Sequence, residues 1–425
     1  MESTTAAVTI PPVSRTSTIL AGIAGNVLEW YDFAVYGFFA PVFAELFFPS
    51  KDPTVSLIAS FGAFAAGFLM RPVGGAFFGY IGDHIGRKRA LNLSVMMMAV
   101  PTFLIGLMPT YGQVGVAASV ALVLLRMAQG LSVGGEYTSS IVYLVESAPK
   151  SKRGLFSSAS LVGATGGILL GSFVGSIISG MLDEAQLHTW GWRLPFLFGV
   201  LVAGVGFLIR RHMPETLKEE EKADNPLKHL WEDRKEVLRV SALNLLTAIA
   251  FYAIFIFAAT WLVNYVKEPR TVALQLNTMS MIVLMIAVPF FAWLSDRVGR
   301  KPVLIGGAVG MVVFAYPLVW LMHHHNDAMI LGGQMGMAIL LAAYAGTIPA
   351  TLTEMFSSKV RVTAVSVGYN LTYAIFGGTT PMVAVWLIEK EHNDMAFAWY
   401  IVVAAAVSLV AAIWIRDGAH KPLPN

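Results

Sequence analysis

The stretch Gly79-Tyr-Ile-Gly-Asp83-His-Ile-Gly86-Arg87-Lys88 returns 213 residues later as Ala292-Trp-Leu-Ser-Asp296-Arg-Val-Gly299-Arg300-Lys301. The shared core is Asp-x-x-Gly-Arg-Lys, and the offset is half the length of the 425-residue chain. A second pair agrees: Glu146 stands seven residues before Arg153, and Glu354 stands seven before Arg361. Two related halves are therefore legible in a single sequence.

Both copies are embedded between long apolar runs. Hydrophobic residues make up 56% of the chain and charged residues 13%, where a soluble domain carries roughly 25% charged residues. With a mean hydropathy of +0.66, too few charges remain to cover a soluble protein of this size, so the surrounding solvent is a bilayer. A span needs about 20 apolar residues, and cutting at charges and turns yields twelve such segments. The fold expected is an all-α membrane protein with twelve transmembrane helices in two six-helix bundles. Its parts are an N-terminal tail (1–17), a first bundle (18–211), a central loop (212–239), a second bundle (240–416) and a C-terminal tail (417–425). The N-terminal segment lacks the basic start and cleavage site of a signal peptide, so the first span is expected to stay.

Lysine and arginine crowd into alternate loops, among them Arg87 to Arg89, Lys150 to Arg153, the central loop, and Arg297 to Lys301. Positive loops are retained in the cytoplasm, so both termini are expected there. A net charge of +3 distributed in this way sets topology and does not form a nucleic-acid surface; membrane lipid is an expected partner, and nucleic acid is not. The absence of cysteine removes disulfides, iron–sulfur centres and thiolate zinc sites.

Each Asp-x-x-Gly-Arg-Lys element falls in the short loop after the second helix of its half. There the aspartate can face a helix N-terminus, the glycine permits a tight turn and the bases meet phosphate headgroups. The Glu and Arg at the end of the fourth helix and the start of the fifth are placed to join them. Asp83, Arg87, Glu146 and Arg153, with Asp296, Arg300, Glu354 and Arg361, are thus expected to form a cytoplasmic gate that must break for that side to open.

Twelve spans, the six-plus-six repeat and the G-x-x-x-D-x-x-G-R-K motif resemble the major facilitator superfamily. More narrowly, Gly25-Asn26-Val-Leu-Glu29-Trp-Tyr-Asp32-Phe33, Phe68-Leu-Met-Arg71-Pro72-Val-Gly-Gly75, Gln129-Gly130-Leu-Ser-Val-Gly-Gly135-Glu136-Tyr137 and Gly191-Trp192-Arg193-Leu-Pro195-Phe196 look like the metabolite:proton symporter family. That family includes carriers of α-ketoglutarate, citrate, shikimate, and proline or glycine betaine. The resemblance implies proton symport into the cell across a bacterial inner membrane, by alternating access and with no cofactor beyond the coupling proton, and leaves the solute open. The chain stops soon after the last span, without the long heptad-bearing tail of some osmolyte carriers in that family, which disfavours an osmosensor. Its fifth helix lacks the Gly-Pro signature of drug:proton antiporters, which disfavours drug export.

Ionisable groups in hydrocarbon are costly and are functional candidates by default. Within the spans these are Glu29 and Asp32 on helix 1, Arg71 on helix 2, and Arg126 and Glu136 on helix 4. Three acids against two bases leave one negative charge for a proton to neutralise. Glu29 and Asp32, three apart, share a helical face. Asp32 is the first candidate for the proton site, with Glu136 and Glu29 beside it; alternatively, Glu29 and Asp32 pair with Arg71 or Arg126 and hold the bundle. Either arginine offers a carboxylate a bidentate fork or sits in an intramembrane ion pair, and Tyr137 falls on the face of Arg126. In the second half, Tyr252, Gln334, Tyr369, Asn370 and Tyr373 are candidates for the opposite wall of a cavity. Trp30, Tyr31 or Tyr369 would offer a quaternary ammonium an aromatic face.

Other signals are bland. Gly130-Leu-Ser132-Val-Gly134 matches a nucleophile-elbow pattern but lies inside an apolar helix, where no strand-to-helix turn can form. His323, His324 and His325, near Asp327, read as solvated loop residues, and no metal site is expected. The central loop reads as a solvated linker, a docking site being the alternative. The function expected is import of a small mono-, di- or tricarboxylate with protons by a monomeric carrier, with no enzyme activity. The alternative is a proton symporter of a zwitterion such as proline or glycine betaine. A sensor that binds without transporting is the remote third reading.

Overall fold

The structure, a computed structural model, describes residues 15–210 and 234–424. Most of the expected N-terminal tail, and residues 211–233 with most of the expected central loop (212–239), lie outside the described residues.

Among the described residues, twelve long helices follow one another. The first half holds α1 (Arg15–Phe47), α2 (Pro53–His84), α3 (Arg87–Leu107), α4 (Val116–Ser147), α5 (Arg153–Met181) and α6 (Leu194–Arg210). The second half holds α7 (Arg234–Asn264), α8 (Arg270–Val298), α9 (Arg300–Met322), α10 (Asp327–Glu354), α11 (Arg361–Glu391) and α12 (Phe397–Trp414). Several run beyond the apolar segment that announces them. The helix containing residue 240 begins at Arg234, for example, where a Glu236–Arg239 pair at 2.6 Å supports its first turns. Arg87 and Arg300 likewise open helices rather than sit in loops, because the turn before each is made by a single glycine at positive φ, Gly86 at 149° and Gly299 at 100°.

Small residues decide which helices touch. On α5 the row Gly163, Gly167 and Gly171 lies against the backbone of α1, where an added Cβ on Gly163 would come within 2.8 Å of the Ile23 carbonyl. On α4, Gly130 and Gly134 lie against the backbones of Gly67 and Arg71 on α2. Lipid offers no hydrophobic drive for association, so such close backbone contact supplies the packing. Between the halves, α2 packs on α11, α5 on α8 and α10, and α4 on α10 and α11.

Two helices carry a π turn, Tyr252–Phe257 in α7 and Tyr373–Gly377 in α11. Such turns loosen the ladder and recur at functional sites. The first leaves carbonyls that side chains fill: Gln334 Nε2 donates to Ile254 O at 3.1 Å, and Asn277 Nδ2 donates to Phe255 O at 3.0 Å.

Candidate functional site

One face of the molecule bears the basic turns, and there the eight predicted gate residues meet in two clusters related by the repeat. In the first, Asp83 caps α11 of the other half, accepting from Val362 N at 3.2 Å, Thr363 N at 2.7 Å and the Thr363 hydroxyl at 2.6 Å. Arg87 pairs with Asp83 at 2.5 Å and Glu146 at 3.4 Å and donates to Ser358 O at 2.9 Å, while Arg361 reaches Glu146 at 2.8 Å. In the second, Asp296 caps α5, accepting from Gly154 N at 2.8 Å and Leu155 N at 2.9 Å. Arg300 pairs with Asp296 at 2.8 Å and Glu354 at 3.0 Å, and Arg153 approaches Glu354 at 3.7 Å. Each aspartate thus puts negative charge on the positive end of a helix from the opposite half.

The segment after α12, the C-terminal tail of the sequence reading, is packed onto these clusters. Asp417 accepts from Arg300 N at 3.3 Å and Lys301 N at 3.1 Å, Arg153 donates to Lys421 O at 2.8 Å, and Arg361 donates to Pro424 O at 2.6 Å. Partial burial acts to push the Asp417 carboxyl up. The backbone N–H groups of Ala419, Lys301 and Arg300, with the Arg300 charge, outweigh it and hold the carboxyl below the usual carboxylate range.

In the membrane interior the five predicted ionisable groups are all buried, and they separate into distinct environments. Arg126 donates to Asp32 at 2.7 Å and to Gln129 at 2.7 Å, and its guanidinium lies 4.3 Å from the Tyr36 ring centre. Asp32 also accepts from Thr102 at 3.0 Å and Gln129 at 2.8 Å. Of the two expected arrangements for Asp32, the structure has the ion pair with Arg126, and two helices beyond α1 supply its partners. Glu136 accepts from the Ser94 hydroxyl.

Arg71 stands apart. Its Nε donates to Asn370 Oδ1 at 3.3 Å, and its guanidinium carbon lies 5.3 Å, 5.9 Å and 5.6 Å from the rings of Phe68, Tyr369 and Tyr373. Among the described residues no carboxylate forms an ion pair with it, and its buried Nη2 has no hydrogen-bond partner. The rings of Tyr369 and Tyr373 stack at 4.1 Å, and Tyr137 lies 5.1 Å from Tyr369. These three rings also line a cavity whose other walls include Asn244, Thr247 and Phe251, and among the described residues no Asp, Glu, Lys or Arg lines it. Its accessible space, ≈ 30 Å³, holds about two or three waters. Tyr252, at the start of the α7 π turn, sits 6.3 Å from Tyr373 and 5.8 Å from Phe68.

Two predicted wall residues are elsewhere. Tyr31 is one residue, a 100° turn, past Trp30 and donates to Pro195 O at 2.6 Å inside the first half. Gln334 is bound to the α7 π turn and to Asn277 Oδ1 at 2.8 Å. Sequence reasoning also missed Thr102 and Gln129 as partners of Asp32, because a polar side chain in a span gives no sign of which helix it meets. Asp417-Gly418 was a turn signal close to the last span. The histidines after α9 pair with acids, His323 with Asp394 at 3.3 Å and His325 with Glu268 at 3.5 Å.

A multi-pass membrane protein of two repeated halves, knit together on one face and bearing a buried guanidinium beside a central cavity, has the form of a carrier. The family described as Sugar (and other) transporter matches residues 17–225 and 216–423, and the chain belongs to it and to the major facilitator superfamily; it is a transporter, not an enzyme. It is 34% identical over 424 residues to the glycine betaine/proline/ectoine/pipecolic acid transporter OusA of Dickeya dadantii, spanning 95% of this chain and 84% of that one. Against the proline/betaine transporter of Escherichia coli K12 the identity is 32%, with the same coverage. Against the α-ketoglutarate permease of that strain it is 34%, over 95% of this chain and 94% of that one. The fold matches the solved structure of the proton:xylose symporter XylE bound to 6-bromo-6-deoxy-D-glucose, with a TM-score of 0.79 at 19% identity, covering 96% of this chain and 97% of that one.

Proposed function

We propose that this transporter imports a small zwitterion, a solute with one carboxylate and one substituted ammonium, together with protons. The observation that carries the reading is Arg71: a buried guanidinium with a vacant donor, beside a cavity walled by tyrosine and phenylalanine and lacking charge. A carboxylate takes the guanidinium fork. The π faces of Tyr137, Phe251, Tyr369 and Tyr373 suit an ammonium and offer nothing to a second carboxylate. Two of the three relatives compared are named for betaine and proline.

Coupling is assigned to the acids of α1 and α4. A proton on Asp32 exchanges for its bond to Arg126, and Glu29 and Glu136 are the neighbouring proton sites. Movement of the solute is assigned to alternating access, with the two clusters on the basic face as a gate that parts. We place that face and both termini in the cytoplasm of a bacterial inner membrane.

A second reading, import of a di- or tricarboxylate, is favoured by the likeness to α-ketoglutarate permease and by a second guanidinium, Arg126, whose Nε and Nη2 have no hydrogen-bond partner while its Nη1 holds Asp32. Uptake of labelled glycine betaine in the presence of excess α-ketoglutarate tests the choice. The zwitterion reading expects no competition. Full competition, or no betaine uptake, contradicts it.

A further inference from the structure

Asn370 lies where three helices cross. Its Oδ1 accepts from Arg71 Nε on α2 at 3.3 Å, and its Nδ2 donates to Gly134 O on α4 at 2.5 Å and to Ser366 O on its own helix at 2.8 Å. The helices come close there, since a Cβ on Gly75 of α2 would come within 2.7 Å of the Asn370 side-chain Nδ2 and 3.1 Å of the Ser366 carbonyl oxygen. The side chain is fully buried. It therefore links the second half to two helices of the first at the level of the guanidinium.

The stereochemistry of arginine gives this link a consequence. Nε–H and one N–H of Nη2 point along the same edge of the guanidinium, and a carboxylate binding by the fork uses both. On Arg71, Nη2 is without a partner and Nε holds Asn370. An incoming carboxylate that takes this edge must displace Asn370 Oδ1, since one N–H cannot serve both acceptors at full strength. We infer that Asn370 is a positioning residue that stands in for the solute carboxylate on Arg71, so that solute binding releases the α2–α11 link and permits the halves to part. This rests on the assignment of Arg71 as the carboxylate receptor. It goes beyond it by making solute arrival the event that unlocks the interface.

The neighbouring bond between the Thr138 and Ser366 hydroxyls, at 2.5 Å, also crosses the halves but does not touch Arg71, and it serves as the control. The chain has no cysteine, so a single Ile141→Cys in the cavity wall reports opening of the basic face by its rate of maleimide labelling. Without solute, Asn370→Ala should raise that rate severalfold over the parent, while Thr138→Ala should leave it within twofold. Asn370→Asp places a permanent carboxylate on the same edge and should lose glycine betaine uptake at least tenfold. Asn370→Ala labelled at the parental rate, equal acceleration by Thr138→Ala, or undiminished uptake by Asn370→Asp would each overturn the inference. The labelling arm uses no solute. If the parent takes up α-ketoglutarate and not glycine betaine, the zwitterion reading fails while the labelling comparison still decides the role of Asn370.

Discussion

Arg126 on α4 and Asp32 on α1 meet at 2.7 Å with neither side chain exposed, and Thr102 and Gln129 fill the other oxygen of the carboxylate. Removing one member of a buried pair strands the other charge and costs about 3–5 kcal/mol. Asp32→Asn should therefore lower the melting temperature in detergent and abolish proton-driven uptake. The double change Asp32→Asn with Arg126→Gln should recover much of the stability and none of the coupling. Intact proton-driven uptake by Asp32→Asn would remove Asp32 as a proton site.

Arg71 makes the opposite prediction. No ion pair among the described residues breaks when it changes, so Arg71→Lys should melt near the parent. The fork is lost, and a hydrogen bond to a charged group is worth about 1.5–3 kcal/mol. Half-saturation for glycine betaine should rise by roughly 10- to 100-fold on that basis. Unchanged uptake kinetics would show that the carboxylate binds elsewhere.

The two gate clusters should be separable by mutation. Asp83→Ala removes the acceptor for three donors at the start of α11, and Asp296→Ala removes the acceptor for two at the start of α5. Each should speed labelling of Ile141→Cys from the basic face, Asp83→Ala more strongly. Rates unchanged in both would mean that these bonds fix topology only.

Gly134 touches the Arg71 carbonyl where α4 crosses α2. Gly134→Ala overpacks that crossing, at a cost of about 1–3 kcal/mol, read as a lower melting temperature. Gly166, whose added Cβ would meet nothing within 4 Å, should accept alanine without loss.

The Asp417 carboxyl titrates below its usual range, that is, below an unfolded value of about 3.9. A depressed folded value contributes stability that is complete above the unfolded value and is lost as pH falls through the folded one. Thermal melts should thus weaken from about pH 4 downward, and Asp417→Asn should flatten that acid slope. An identical slope in the variant would assign it to other carboxylates.

The pair of ion clusters on the basic face was the most legible part of the chain. It is encoded locally and twice, so the recurrence of Asp83 as Asp296 and of Glu146 as Glu354 placed all eight residues before any coordinates. Positive φ at Gly86 and Gly299 is what the repeated glycine implied. The interior was half legible. Charge in a span marks Asp32, Arg71 and Arg126 as special, yet nothing in the spacing says that Arg126 meets Asp32 while Arg71 meets Asn370, because partners lie on other helices. Uncharged polar residues carried still less. Gln334 and Tyr373 looked alike as wall candidates, yet the structure uses Gln334 to fill a π turn while Tyr373 lines the cavity. The segment from Asp417 to Pro424 has no helical period to announce that it packs.

The most direct test of the account is the internal pH of proteoliposomes holding the protein when glycine betaine, proline, α-ketoglutarate or citrate is added outside. Zwitterion–proton symport through Arg71 predicts acidification with glycine betaine or proline, none with the di- and tricarboxylates, and none with any solute in Arg71→Ala. Acidification by α-ketoglutarate or citrate alone, or entry of labelled glycine betaine with no change in pH, would contradict it.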